Sequence, residues 1–326
     1  MRAVEISKYG GPSNLTVVEV PKPTPNNDQV LIKIMAFGLN RAETYMRQGL
    51  WGDVAKISGI ECAGIVAEDP SGRLKTGQTV VALMGGMGRS INGSYAEYTV
   101  VPNTNVIPVH TTLSWPELAA IPESYATAWQ CLTQNLKIAK GQTLLIRGGT
   151  SALGQAAINI AKNIEGVKII ATTRNSAKAQ ILDNLGVNQV VIDNGNISDH
   201  LIDTHPKGID AVLELTGNNT LLDSLKTVRT QGYLCNAGFL GGGNPINFNP
   251  LSDLPSGVNL NFFASFMFGT HGFLLDHLPF NQIIKNVEDQ NYKVKPVRVL
   301  SLEQLPYAHT LMEENNVNGK IVMTTQ

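Results

Sequence analysis

The sequence has no surplus of either charge: 25 lysines and arginines stand against 26 aspartates and glutamates, a net charge of -1 at pH 7. That balance gives no electrostatic case for gripping nucleic acid or an anionic membrane surface. Neither is an expected partner. Cysteine is scarce too. Cys62, Cys131 and Cys235 lie far apart and form no CxxC pair, so a disulfide framework is excluded and buried free thiols in a reducing compartment are expected. Long apolar runs are missing. The N-terminal "MRAVEISKYGG" lacks an apolar core of signal-peptide length. The most apolar stretch, 258–275, is interrupted by Asn259, Asn261, Ser265, Thr270 and His271 and falls short of a membrane span. No repeat period is visible. These absences together lead to the expectation of a cytoplasmic protein.

What is present is a chain of 326 residues, with 31 glycines and 43% apolar residues. That length favours two domains, and the composition fits an α/β protein with many tight turns. From 1 to about 120, short strand-like runs such as "RAVEIS", "QVLIKIMAFG" and "QTVVAL" alternate with proline- and glycine-rich turns, as expected of a β-rich domain. From 123 to 265 the texture changes to strands separated by helical patterns: "TLLIR", "KIIATT", "QVVID", "AVLEL" and "YLCNAG". Such alternation predicts a parallel sheet covered on both faces. The tail, 266–326, holds an expected helix, "LEQLPYAHTLMEENN", and a last strand, "KIVMTT", too little for a core of its own. It is expected to pack back on the first domain.

The stretch "LLIRGGTSALGQAAINIAKN" (144–163) joins a buried-type strand directly to an amphipathic helix. Leu153, Ala156, Ala157, Ile160, Ala161 and Ile164 recur at helical spacing, and Gly166 is expected to end the helix. Gly148, Gly149 and Gly154 permit close backbone approach, and the first turn (Gly149, Thr150, Ser151, Ala152, Leu153, Gly154) offers free N–H groups to a pyrophosphate. Ser151 stands where a full GxGxxG has its middle glycine, and a tight turn without a ligand is the alternative reading. The next strand ends at Thr173 and Arg174 with no acidic residue to hold a ribose, and Lys178 follows in the next helix's first turn. A lysine there opposes the helix dipole unless an anion compensates it. The 2′-phosphate of NADPH would be that anion; two solvated charges are the bland alternative.

"GLNRAETYMRQG" (38–49), "SGIECAGIV" (58–66), "GSYAEYTVVP" (93–102), "YATAWQCL" (125–132), "GGTSALG" (148–154) and "AHTLMEENNVNGKIVM" (308–323) follow one another in a specific order. In this the chain resembles the medium-chain dehydrogenase/reductase superfamily, in particular its zinc-free quinone oxidoreductase (zeta-crystallin-like) branch. The resemblance implies an α/β fold with a GroES-like catalytic domain (1–122, with 266–326) and a Rossmann domain (123–265), with a cleft between them. It also implies a homodimer joined through Rossmann edge strands near 259–268, although a buried core strand would read the same way. Zinc-dependent relatives carry a cysteine in the stretch matching 38–45 and Gly-His-Glu where Gly59-Ile60-Glu61 stands here. The six histidines are scattered and read as solvated loop or capping residues. No metal is expected.

Without zinc to stabilise an alkoxide, hydride delivery from NADPH to a quinone or α,β-unsaturated carbonyl is the easier chemistry. The resemblance places Asn40, Tyr45 and Arg47 along the substrate cleft. Asn40 would orient a carbonyl or ribose, and Tyr45 would bind the acceptor oxygen or stand as an aromatic wall. Arg47 is read either there or as a surface charge, and Glu43 as structural. It also implies cofactor contacts at Thr127, Gly217, Gly238, Phe239, Asn318 and Lys320. The plain alternatives are a helix residue at Thr127 and an Asn-Gly turn at Asn318. The glycine-rich loop 84–95 is expected to be a mobile lip, with Arg89 solvated. An enoyl-thioester reductase and a catalytically idle NADPH-binding protein are the competing functions.

Overall fold

The protein is described by a computed structural model, which covers residues 1–315 and 317–325. Two units emerge, Met1–Ala126 with Ser265–Gln326, and Thr127–Ala264. The chain runs through β1 (Arg2–Ile6), β2 (Leu15–Glu19), β3 (Gln29–Leu39), α1 (Arg41–Gln48), β4 (Glu61–Glu68), β5 (Thr79–Leu83), β6 (Tyr98–Pro102), β7 (Val106–Pro108), α2 (Trp115–Ala119) and α3 (Pro122–Gln130). It continues through β8 (Thr143–Arg147), α4 (Ala152–Lys162), β9 (Lys168–Thr173), α5 (Ala179–Leu185), β10 (Gln189–Ile192), α6 (Ser198–Thr204), β11 (Ile209–Glu214), α7 (Asn218–Thr227), β12 (Val228–Asn236), α8 (Pro250–Asp253) and β13 (Asn259–Phe262). The tail adds α9 (Phe280–Glu288), β14 (Arg298–Ser301), α10 (Leu305–Glu313) and β15 (Ile321–Thr324).

In the first unit, seven strands form one sheet, ordered β14-β15-β3-β4-β5-β7 with β6 also on β3, beside the hairpin-like pair β1-β2. β15 runs antiparallel to β3, with Ile321 opposite Leu39, which brings the end of the chain onto its first long strand. The core beneath includes Val30, Ile32, Phe37, Val66, Tyr95 and Met323. The loop 84–95 is tied down by main-chain bonds from Ser94 N to Gly59 O and from Tyr95 N to Ser58 O.

The second unit is a six-stranded sheet, all parallel, in the order β10-β9-β8-β11-β12-β13. β8 and β9 are buried along nearly their whole length, as strands covered on both faces must be. The chain steps outward one way through β9 and β10, then returns to β11 on the other side of β8. A ligand crevice belongs at the carboxyl ends of the strands at that reversal.

Three expectations change at element ends. α4 stops at Lys162, with Asn163 Nδ2 donating to Asn159 O at 2.9 Å, so Ile164 lies beyond it and Gly166 (φ 72°) serves a later turn. The stretch 259–268 is a strand only over Asn259–Phe262 and then turns at a short 3-10 segment, Ser265–Met267. The expected tail helix ends at Glu313, and its last expected residue, Asn316, lies outside the described residues.

Candidate functional site

At the end of β8 the chain turns through Gly148, whose φ of 95° is a left-handed conformation that glycine adopts without strain. Gly149 N donates to Thr172 O at 3.0 Å, and Ser151 caps α4 by accepting from Gly154 N at 3.0 Å. A Cβ on Gly154 would stand 2.6 Å from Gly148 O and 2.8 Å from Gly149 Cα. The turn is therefore pressed against the helix that follows it. Gly149, Thr150, Ser151, Ala152, Leu153 and Gly154 form one backbone cradle at the positive end of α4. Gly217 follows β11 and meets the segment after β12: a Cβ there would lie 2.6 Å from Gly238 O and 3.0 Å from Phe239 Cα. All of these lie past the carboxyl ends of the parallel strands. The residues present thus fit a dinucleotide.

Thr173 ends β9, Arg174 follows it exposed, and Lys178 closes the short turn that leads into α5. Burial and then the nearby Arg174 charge hold the Lys178 ammonium below its ordinary pKa. Two cations are thus set close together. Thr127 is buried within α3.

One feature beneath the turn is assembled from partners far apart in the chain. Arg147, the last residue of β8, is fully buried. It donates to both Asp193 oxygens at 2.8 and 2.9 Å, to Asp223 at 2.7 Å and to Ser224 at 3.0 Å. Gly148 N donates to Thr172 Oγ1, which reaches Asp193 at 3.3 Å, so the turn hangs from the same network. Burial alone would raise Asp193, but bonding and charge from Arg147 outweigh it and hold its pKa down. Glu214, at the end of β11, accepts from Thr216 N and Gly217 N at 2.7 and 3.0 Å, and burial pushes its pKa up. An arginine closing a buried strand, just before a glycine turn, was the only local signal.

In the first unit, Asn40 precedes α1 and its main-chain N–H donates to Glu43 at 2.8 Å. Its side chain is fully engaged: Nδ2 donates to Glu61 at 2.9 Å and Glu43 at 3.4 Å, while Oδ1 accepts from Lys320 at 2.6 Å. Lys320 also pairs with Glu61 at 2.5 Å and donates to Ser124 at 3.2 Å. These three partners match the three donors of an ammonium. Lys320 is 5% exposed and acts as a strut for Asn40 and Glu61. Gly38 allows the approach: a Cβ there would strike Lys320 Cε and Glu61 Oε1. Burial pushes Glu43 up to about 8; Lys320 opposes this and Glu61 adds to it. Asn318 is half-buried just upstream.

Tyr45 is half-buried with its ring 5.7 Å from Trp51, and burial raises its pKa against the pull of Arg41. Arg47 is neither in a cleft nor on the surface. It is wholly buried, bonded to Gly10 O, Glu313 and His309 Nδ1, with no face left for substrate. His309, read as solvated, is buried too. Burial first, then Arg47, pushes its pKa down to about 3. As for metal, Asn40 and Ile60 bring no metal-binding charge or imidazole, and Glu61 is held by Lys320. Among the described residues no three His, Cys, Asp or Glu side chains gather as a donor set, and the three cysteines are buried and separate. The residues do not fit zinc.

The family described as "Alcohol dehydrogenase GroES-like domain" matches residues 26–111, and that described as "Zinc-binding dehydrogenase" matches 152–272. The human protein named quinone oxidoreductase is 30% identical over 258 residues, 77% of this chain and 76% of the human one. The chain belongs to the quinone oxidoreductase branch of the medium-chain dehydrogenase/reductases. It is an NAD(P)H-dependent oxidoreductase. A Schizosaccharomyces pombe relative named probable quinone oxidoreductase is 28% identical over 98% of this chain and 96% of its own. A subunit of a Mycobacterium tuberculosis polyketide synthase is also 28% identical over 98% of this chain, which spans only 15% of that protein. Among solved structures, a mycobacterial protein complexed with NADPH shares the fold, with a TM-score of 0.88 at 24% identity and full coverage of both chains.

Proposed function

We propose that this protein is an NADPH-dependent reductase that delivers hydride to a quinone or an α,β-unsaturated carbonyl compound without zinc. The observation that carries the reading is the donor inventory around Asn40. Asn40 spends both amide donors on Glu61 and Glu43, which leaves the protonated Tyr45 hydroxyl as the donor and no three-ligand set for a metal among the described residues. Hydrogen bonds suffice for an acceptor that becomes an enolate or hydroquinone anion, whereas an unactivated alcohol needs stronger charge stabilisation.

The cradle from Gly149 to Gly154 would hold the pyrophosphate of the cofactor, and Arg174 with Lys178 would hold its 2′-phosphate. Thr127, Gly217, Gly238 and Phe239 would contact the remainder of the cofactor. When bound, the cofactor supplies the hydride. Lys320 and Glu61 lock Asn40 in one orientation, and Tyr45, kept protonated by burial, donates to the acceptor oxygen as negative charge develops. Solvent returns the proton. The match to a polyketide synthase subunit favours one second reading, in which the acceptor is a conjugated acyl thioester.

The same reading has a cytoplasmic homodimer joined along β13. This is an edge strand whose Phe262 is 55% exposed. Among the described residues no helix is long and apolar enough to cross a membrane. The test is NADPH oxidation by the metal-stripped protein against a panel of quinones, enones, enoyl thioesters and simple alcohols. Turnover of quinones or enones that survives metal removal supports the proposal. Activity that returns only with added zinc, or only with alcohols, overturns it.

A further inference from the structure

The loop that carries Arg89 and the aromatic residues near Tyr45 form a cluster that the chemistry above does not use. The Arg89 guanidinium lies over two rings, 4.8 Å from the centre of Phe266 and 5.8 Å from that of Trp51. Trp51 in turn packs on Tyr45. Phe266 and Trp51 are 49% and 38% exposed, so a flat hydrophobic surface faces solvent beside a fixed positive charge. Contacts with ring faces use none of the five guanidinium donors. Among the described residues Arg89 has no ion-pair partner, unlike the buried Arg47 and Arg147.

The cluster is built, not incidental. Asn105 is buried and donates to Leu83 O at 3.0 Å and to Phe268 O at 3.1 Å. One bond fixes the start of the loop bearing Arg89, and the other fixes the segment bearing Phe266. Gly85 and Gly269 both press on Asn105, where a Cβ would come within 2.6 and 2.2 Å of it. Arg89 N donates to Gly86 O, and Arg89 O accepts from Ala55 N, which ties the loop to the segment after Trp51.

We infer that Arg89 selects acceptors carrying a carboxylate on a flat conjugated frame, with the frame packed on Tyr45, Trp51 and Phe266 and the carboxylate paired to the guanidinium. An arginine held on aromatic faces is partly dehydrated, which strengthens its charge-assisted bonds, and its planar fork matches a carboxylate. The inference rests on the reductase reading for the fate of the acceptor but not for its binding.

The test uses the full chain and two matched pairs. In the first, NADPH-dependent reduction of an aryl enone with a para-carboxylate is compared with that of its methyl ester. The expected preference for the acid is about tenfold in kcat/KM, expressed in KM and reduced by high salt. In Arg89→Met and Arg89→Gln the acid-to-ester ratio should fall towards one, while Arg89→Lys should keep part of it. The second pair, 2-naphthoate against methyl 2-naphthoate, is titrated calorimetrically and needs no turnover. The same acid preference and the same loss in Arg89→Met are expected. If neither enone is reduced but naphthoate is still preferred, the reductase reading fails and the anion site stands. Equal handling of acid and ester by the wild type overturns the inference. So does a preference that survives in Arg89→Met, or a loss of NADPH affinity in that variant, which would assign Arg89 to the cofactor.

Discussion

Arg47 Nε donates to His309 Nδ1 across 3.2 Å in the interior of the first unit. Because a guanidinium can only donate, this contact makes Nδ1 the acceptor and puts the imidazole proton on Nε2, which donates to Tyr95 Oη at 2.8 Å. The histidine is a neutral bridge between a buried cation and a buried phenol.

That bridge makes the protein acid-sensitive in a defined window. The folded state holds His309 at about 3, against an ordinary value of 6.5. The unfolded chain therefore binds the extra proton, and this contribution to stability is whole above pH 6.5 and lost as the pH falls towards 3. Urea midpoints across that range should fall less steeply in His309→Phe than in the wild type. At neutral pH the variant should lose about 2–3 kcal/mol, because the Arg47 donor is left unpaired. Parallel pH curves would refute the assignment.

Glu43 acts in the opposite sense. Its folded pKa is raised from 4.5 to about 8, so the folded state holds the extra proton. Its contribution is complete below pH 4.5 and declines as the pH rises through about 8. Glu43→Gln keeps an acceptor for Asn40 N–H and cannot ionise. The variant should gain stability relative to the wild type as the pH rises from 4.5 towards 8, read as a growing difference in urea midpoint. A constant difference counts against a protonated Glu43.

Cofactor choice is tested at the end of β9. Alanine at Arg174 or Lys178 should raise the NADPH Kd about tenfold each, with NADH binding nearly unchanged, since each charge-assisted bond to phosphate contributes on the order of 1.5–3 kcal/mol. Fluorescence titration with both cofactors reads this directly. Equal wild-type affinity for the two would remove the 2′-phosphate site and leave the fold standing.

Gly154→Ala places a methyl against Gly148 O and Gly149 Cα. The helix must then back away from the turn, at a cost of about 1–3 kcal/mol. Thermal melting should show the loss, and cofactor affinity should drop with it because the cradle widens. Unchanged NADPH binding would mean that the turn is only a tight connection.

Arg147→Met should be the most damaging change. It leaves Asp193 and Asp223 buried without their cation, which costs about 3–5 kcal/mol. The variant should regain part of that loss when Asp193→Asn is added, measured as a double-mutant cycle. Additive losses would show that the three residues do not act as one network.

The local pattern carried far at the glycine turn. Apolar "LLI", two glycines, a capping serine and a helix with small residues on its inner face each constrain their neighbours, so the strand, turn and α4 are legible in the sequence. The helix end was misjudged because Ile164 kept the apolar period while the chain had already turned at Asn163. Arg47 and His309 were misread for a different reason. A charged or titratable side chain is sorted to the surface by composition alone, and only a partner far along the chain makes its burial tolerable. For Arg47 that partner set lies in α10 and at Gly10.

By itself the sequence determined the alternation of strands and helices and the residues that crowd the first turn of α4, because each follows from neighbours within about a dozen positions, and it pointed to the family through the order of six motifs along the chain. Tertiary structure alone decided which charges are neutralised inside. It bound Lys320 to Glu61, Arg147 to Asp193 and Asp223, and Arg47 to His309, and it set Arg89 on two aromatic faces. Those pairings depend on which strand lies beside which, and the energy of a charge depends on what it faces at a few ångströms, however far away in the chain its partner stands.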